Sequence, residues 1–536
     1  GGHREDLEAV LSRYVPARRW FASKARAVQD VSVVDVLRVD REPQSPRVLL
    51  VEVSFAEGNS ERYVVPIAFA SGTRRDEITR DWPEAVMAYL VVSGREEDGT
   101  LEGVLFDALV DPSFGERLLD MVARRRSLKG QSGRLGGAAS RALRKLWPKD
   151  EPVPQPTPMG LEQSNTSIRF GDRLVLKVIR KVLEGTHPEV EVGRYLTDVA
   201  GYDNAPALAG AVEYRTANRG EPQTVAVLQG FVPNEGDAWL VVRDAVRDGM
   251  QRVLAENLLP EAVQDLSIEA IWAASGQESD EQAWNLVGPI IGSIELMGRR
   301  TGELHAAMSK STGDPAFDPE TFPPHYYRSL YQSVHDRLGE SMDLLRRRQR
   351  SLTPSLKRDA EDLLGKAKAL DARVRSRVPK TFKGRRIRIH GDLHLGQILY
   401  TGRDFVLIDF EGEPARSLAS RRTKHSPLRD VAGMLRSLHY AALYDVATGE
   451  IREEDIERVS PWLDAWVRET WVAFLRGYRA SGVFETKVLP AEGAEAAAVL
   501  EVMVIDKAAY EVAYELNNRP SWVGVPMSGL LRMIAL

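Results

Sequence analysis

The 536-residue chain contains no cysteine. Disulfide staples, thiolate nucleophiles and cysteine-held zinc are therefore excluded, and the composition suits a reducing cytoplasm. No apolar run is long enough to span a bilayer, so a membrane partner is not expected. The first residues, GGHREDLEAVLSRYV, lack the apolar stretch of a signal peptide. A start on Gly-Gly-His rather than Met is expected of a tag remnant or of part of a longer polypeptide. Neither sign of charge dominates: the formal net charge is −5, which argues against a nucleic-acid binder, since that needs a strongly basic domain. One stretch breaks the balance. Residues 123–149 carry nine Lys or Arg and no acid. Apart from Trp147 they lack aromatics for base stacking, so they read as a mobile, glycine-containing linker with a basic helix.

The length exceeds one compact core and predicts about three or four folding units. Residues 1–90 open with an amphipathic helix (Leu7, Val10, Leu11, Tyr14) and continue in strand alternation such as RVLLVEVSF, which predicts a β-rich cap domain. Arg18-Arg19-Trp20-Phe21 reads as a packed corner. Residues 91–232 form an intermediate region and a nucleotide-binding lobe. The linker within it, 123–158, ends in the proline cluster EPVPQPTP, which resists helix. Residues 233–536 are mainly helical.

Within the lobe, LEQSNTSIRFGDRLVLKVIR predicts a hairpin turning at Gly171-Asp172. Val175, Lys177 and Ile179 share one strand face, so Lys177 needs an anionic partner. ATP phosphates are one, and a glutamate of the helix opened by Pro188 is another, with Glu191 preferred and Glu189 the alternative. Gln163, Ser164, Asn165, Thr166 and Ser167 are placed to cover phosphates, although they lack the glycines of a G-x-G-x-x-G loop. Gln229, Phe231 and Val232, in the tract before Pro233-Asn234, are placed at a hinge where backbone groups pair with adenine.

The most informative stretch is HGDLHLGQILYTGRDFVLIDFEGE, residues 390–413. Asp392 stands two after His390 and five before Gln397, the spacing of H-x-D-x-x-x-x-N with Gln for Asn. Two short strands around Thr401-Gly402-Arg403-Asp404 predict a hairpin. It returns Asp409 beside Gln397, so that a carboxylate and an amide oxygen face one hard cation, Mg²⁺. Asp392 is then the base and Asp409 the principal metal ligand of an ATP-dependent phosphotransfer. Asp430 is read as a first-turn helix carboxylate able to brace this loop.

The ordered set, together with RRWF, SPLRDVAGMLRS and YELNNRPSWVGVP, resembles the actinobacterial maltokinases, in the aminoglycoside-phosphotransferase-like branch of the kinase fold. The resemblance implies an α+β, bilobal protein-kinase-like fold with an N-terminal cap. It implies phosphorylation of maltose at its anomeric hydroxyl by ATP and Mg²⁺, feeding α-glucan and glycogen synthesis. A link to trehalose synthase, covalent or by association, is a further implication, and the chain itself is expected as monomer or homodimer. The alternative is a kinase for another sugar or amino sugar such as glucosamine. A sugar site needs carboxylates and amides for hydroxyls and an aromatic face for the ring; Glu411, Glu413, Tyr514, Asn518, Arg519 and Trp522 supply those types, with His394 as a further contact. In the tail helix Lys507 and Glu511 are spaced to pair at i,i+4.

Overall fold

The computed structural model describes all residues except 1, 41, 43–44, 94–99, 160–164, 218–219, 257–264, 279–280, 492 and 535–536. The chain forms two compact units, Gly1–Pro233 and Asn234–Leu536. The architecture is α+β, with a β-rich cap, a second, seven-stranded sheet and a mainly helical C-terminal part.

In the first unit, β1 (Val28–Arg38), β2 (Arg47–Phe55), β3 (Glu61–Ser71), β4 (Val86–Ser93) and β5 (Thr100–Asp107) form the cap sheet in the order β1-β2-β3-β5-β4. The sheet therefore runs to Asp107 rather than stopping near residue 90. Alternate side chains of β1 to β3 point to opposite faces and build two cores. On the outer one, Leu11 and Val15 of helix Gly2–Ala17 pack with Trp20, Phe21 and Tyr63, so the aromatic half of the RRWF corner is a buried anchor while Arg19 stays exposed. The inner core joins Leu37, Val48 and Leu50 to Ile168, Leu176 and Leu228.

Those last residues belong to a second sheet, in the order β6-β7-β12-β13-β10-β9-β8. Its strands are β6 (Ser127–Lys129), β7 (Gly133–Ala139), β8 (Pro156–Pro158), β9 (Thr166–Phe170), β10 (Leu174–Val178), β12 (Leu208–Thr216) and β13 (Gln223–Gly230). The intervening β11 (Lys181–Val182) pairs with β3, as a sixth strand of the cap sheet. The basic stretch 123–149 is thus not a linker: it carries β6, β7 and the short helix Leu143–Leu146. Glycine hid the alternation there. A Cβ on Gly137 would fall 2.3 Å from the Met121 carbonyl oxygen, so helix Pro112–Ala123 packs on backbone where a strand normally shows a side chain.

The second unit is built largely of helices, with the two-stranded pairs β14 (Glu320–Thr321) with β15 (Arg385–Arg386) and β16 (Ile398–Tyr400) with β17 (Phe405–Leu407). Helix Leu428–Ala447 is buried along most of its length, as a helix enclosed by others must be. Among the described residues no helix is long and apolar enough to cross a membrane.

Candidate functional site

The chemistry-bearing hairpin forms as β16 and β17, with Ile398 opposite Leu407 and Tyr400 opposite Phe405. Gly402 turns it at φ +84°, and the Ile408 amide donates to the Gln397 carbonyl at 2.9 Å, closing its open end. Gln397 and Asp409 consequently meet, Nε2 to Oδ2, at 3.3 Å. Asp409 has φ +67°, a left-handed conformation that aspartate tolerates better than most residues and that recurs at functional sites. Among the described residues no three His, Cys, Asp or Glu side chains gather as a metal cage. The carboxylate and amide pair still fits Mg²⁺, which takes few protein ligands and completes its shell with water and phosphate oxygens.

The loop before the hairpin is held from three sides. His390 Nε2 donates to the Ile408 carbonyl at 2.8 Å, which leaves Nδ1 to accept the Asp392 amide at 3.4 Å. The Asp430 carboxylate accepts the amides of His390 at 2.8 Å and Gly391 at 2.9 Å. His305 Nε2 lies 3.1 Å from the same carboxylate, with its Nδ1 at 2.9 Å from the Tyr478 hydroxyl. Burial alone would push the Asp430 carboxyl up; the His305 hydrogen bond, the neighbouring imidazoles and the Gly391 amide outweigh it and hold it below its ordinary value. Gly433, one turn along the same helix, lets the backbone approach, since a Cβ there would sit 2.5 Å from the Leu393 carbonyl oxygen. Asp430 is a brace for the loop as well as a first-turn carboxylate.

Asp392 lies on the wall of a cavity lined also by Arg337, Glu413, Arg416, Arg429, Lys507 and Tyr510. Lys507 Nζ is 3.9 Å from Asp392 Oδ1 and 5.3 Å from the Tyr510 ring centroid. The i,i+4 pair with Glu511 does not form, because Glu511 bonds Arg436 at 2.8 Å. Glu413 is bridged to Arg416 and lies 3.9 Å from Arg429. Burial opposes its ionisation, but Arg416 first, then Lys507 and Arg429, keep it below the usual carboxylate range. Burial and the Glu413 carboxylate push the Tyr510 phenol up to about 12. Of the cavity's cations only Lys507 is visible in the sequence as an aligned helix position. The arginines come from three separate segments with no local signal.

The other substrate candidates scatter. His394 caps the turn at Leu395–Gln397 by accepting the Gly396 amide at 3.1 Å, and burial lowers its pKa. The Glu411 carbonyl accepts from Arg421 at 3.3 Å. Tyr514 stacks on Tyr510 at 6.2 Å and is largely exposed. Asn518 is exposed and caps its own helix through the Tyr514 carbonyl at 2.8 Å. Arg519 pairs with Glu515 at 2.7 Å and lies 4.2 Å over Trp522, which in turn meets Tyr444 edge-on at 5.2 Å. These contacts make Asn518, Arg519 and Trp522 parts of a helix-end packing cluster, none of them lining the Asp392 cavity.

In the first unit, Lys177 Nζ meets Glu189 Oε2 at 3.0 Å, and Gln229 Nε2 donates to the same carboxylate at 3.2 Å. Glu189, the alternative to Glu191, is thus a partner of Lys177. Pro188 starts the helix and puts Glu189 in its buried first turn. Gln163 and Ser164 lie outside the described residues. Asn165 and Ser167 are partly exposed, whereas Thr166 is fully buried and its hydroxyl accepts Arg180 Nε at 3.0 Å. Phe231 lies under the Arg169 guanidinium at 4.2 Å and donates its amide to the Arg173 carbonyl at 2.9 Å. Val232 is half-buried beside the end of the unit.

Residues 14–111 match the maltokinase N-terminal cap domain, and residues 155–412 match the phosphotransferase enzyme family. The chain is 24% identical to a glucosamine kinase of Mycolicibacterium smegmatis over 375 residues, 70% of this chain and 78% of that protein. A glucosamine kinase of Streptacidiphilus jiangxiensis is 29% identical over 148 residues, covering 26% and 30% of the two chains. A solved glucosamine kinase in complex with glucosamine, ADP and inorganic phosphate superposes with a TM-score of 0.58 at 18% identity, over 97% of this chain and 98% of that one. That likeness carries the fold.

Proposed function

The chain has the domain architecture of the maltokinase-like kinases, a maltokinase-type cap followed by a phosphotransferase domain, and from that premise we propose that it transfers the γ-phosphoryl group of ATP to the anomeric hydroxyl of maltose. The products are maltose 1-phosphate and ADP. The observation that carries this reading is the Gln397–Asp409 contact of the hairpin at 3.3 Å, directly following the loop whose Asp392 lines a cavity with Lys507 and Tyr510.

In this mechanism Asp392 accepts the proton of the anomeric hydroxyl as that oxygen bonds to the γ-phosphorus and the bond to the ADP oxygen breaks. Asp430, through the His390 and Gly391 amides, holds Asp392 in place. Gln397 and Asp409 would hold Mg²⁺, which supplies charge neutralisation on the phosphates. Lys177, oriented by Glu189, supplies a cation for the nucleotide phosphates.

Glucosamine is the second reading, because the curated relatives bear that activity in their names. The charges around Asp392 favour a neutral sugar. Glu413 is engaged by Arg416, Asp506 lies 2.9 Å from Arg337, and Arg429 and Lys507 line the same cavity. An ammonium group would have to enter beside Arg337, Arg416, Arg429 and Lys507, where Glu413 is already bridged to Arg416. A panel of maltose, glucose, glucosamine, trehalose and aminoglycosides with ATP and Mg²⁺, read by ADP release and by phosphorus NMR of the product, tests this. An anomeric phosphate on maltose is expected, and turnover of glucosamine with none on maltose would replace the first reading by the second.

A further inference from the structure

Arg180 is among the largest fully buried side chains, and the residue it pairs with, Asp107, is equally sealed from solvent; Nη2 lies 2.6 Å from Oδ2. Its remaining contacts join pieces that the phosphotransfer reading leaves separate. Nε donates to the Thr166 hydroxyl at 3.0 Å, at the first residue of β9. The guanidinium stands 5.0 Å over the Trp20 ring of the cap. Nη1 has no hydrogen-bond partner among the described residues. A buried charge with an incomplete hydrogen-bond set is costly compared with well-packed apolar residues, so packing alone does not account for it.

The backbone around Arg180 explains what is joined. Ile179 still bonds the nucleotide sheet, its amide donating to Val225 at 2.8 Å, whereas the Arg180 carbonyl already accepts the Val64 amide of the cap sheet at 2.8 Å. Lys181 then pairs opposite Tyr63, and its Nζ reaches Glu61 at 2.6 Å. The strand bearing Lys177 therefore passes into the cap sheet within three residues. The Arg180 guanidinium pins Thr166, at the start of β9, to the Asp107 that ends β5. We infer that Arg180, anchored on Asp107 of the cap, is a positioning residue for nucleotide binding. It fixes the ends of β9 and β10 relative to each other and so sets where Lys177 and residues 165–167 stand. The cap thereby contributes to ATP affinity without touching the nucleotide. The inference rests on the ATP-dependent reading above.

The test uses the full chain. Arg180→Met with Asp107→Leu removes both charges together, the replacement that buried ion pairs tolerate best. ATP binding by calorimetry and KM for ATP and for the sugar are measured beside the thermal midpoint. A roughly tenfold weaker ATP affinity is expected, with KM for the sugar unchanged, and Arg180→Lys, which keeps charge but loses the fork, should fall between. Thr166→Val cuts only the tie to β9, should weaken ATP about threefold, and decides the matter if the double variant does not fold. Wild-type ATP affinity in a folded double variant, or equal shifts in the ATP and sugar constants, overturns the inference. Failure of the wild type to bind ATP removes the kinase reading and this inference with it, a result separable from the first because no variant is needed to see it.

Discussion

Asp430→Asn is the sharpest perturbation of the proposed centre, because it preserves shape and changes only which atoms accept hydrogen bonds. The carboxylate receives two buried backbone amides, at 2.8 and 2.9 Å, on different oxygens. An asparagine offers one oxygen and one amino group, so one amide must face a donor. A buried donor left unsatisfied costs roughly 1–3 kcal/mol, and the surviving bond loses its charge assistance. The loop around His390 and Gly391 should therefore lose about 2–4 kcal/mol of local stability. At about 1.4 kcal/mol per tenfold, this is roughly a 30- to 700-fold faster amide exchange at those two residues. Because Asp392 follows directly, a displacement near 1 Å should lower kcat about 10²-fold. Native-state hydrogen exchange with steady-state kinetics reads both effects. The pH dependence has a definite sign. The native carboxyl is held below its ordinary value, so its contribution to stability is complete above the unfolded pKa near ~3.9 and is lost as pH falls through the native one. The variant should lack that part of the acid slope. Exchange within about threefold of wild type together with kcat within about twofold would refute the bracing argument.

Two further outcomes follow from the same geometry. Asp392→Asn should reduce kcat by ~10²–10⁴ with ATP affinity close to wild type, as kinetics and calorimetry on the folded variant would show; a main defect in ATP binding would contradict the base assignment. Gly433→Ala drives a methyl to within 2.5 Å of the Leu393 carbonyl oxygen, so a lowered thermal midpoint and reduced kcat with normal ATP binding are expected; a fully active, equally stable variant would contradict the close packing.

The elements legible in the sequence are those whose partners are near in the chain. The Gln397–Asp409 approach needed only a hairpin, and the hairpin announced itself by its Thr-Gly-Arg-Asp turn. Lys177's need for an acid was legible from its strand face. That Glu189 meets it depended on the helix entry angle, which spacing alone does not give. Arg337, Arg416 and Arg429 come to Asp392 from distant segments, a convergence that residue spacing does not encode. Asn518, Arg519 and Trp522 had the right chemistry for a sugar, but Asn518 bonds the Tyr514 carbonyl, and Arg519 and Trp522 engage Glu515, Tyr444 and each other. The basic stretch 123–149 misled because Arg and Lys on exposed strand positions, with glycine where a helix presses close, erase the period-two pattern.

The core shared by the cap and the seven-stranded sheet also dictates an order of assembly. Leu37, Val48 and Leu50 bury themselves against Ile168, Leu176 and Leu228, and β3 receives its partner β11 only from Lys181–Val182. During synthesis at about 5–20 residues per second, the inner face of the finished cap sheet must wait on the order of ten seconds for β13 to emerge. In that interval an apolar sheet face and an unpaired segment of β3 are open to other chains. The nascent cap is therefore a stage exposed to aggregation, at which a chaperone would find an apolar face to hold.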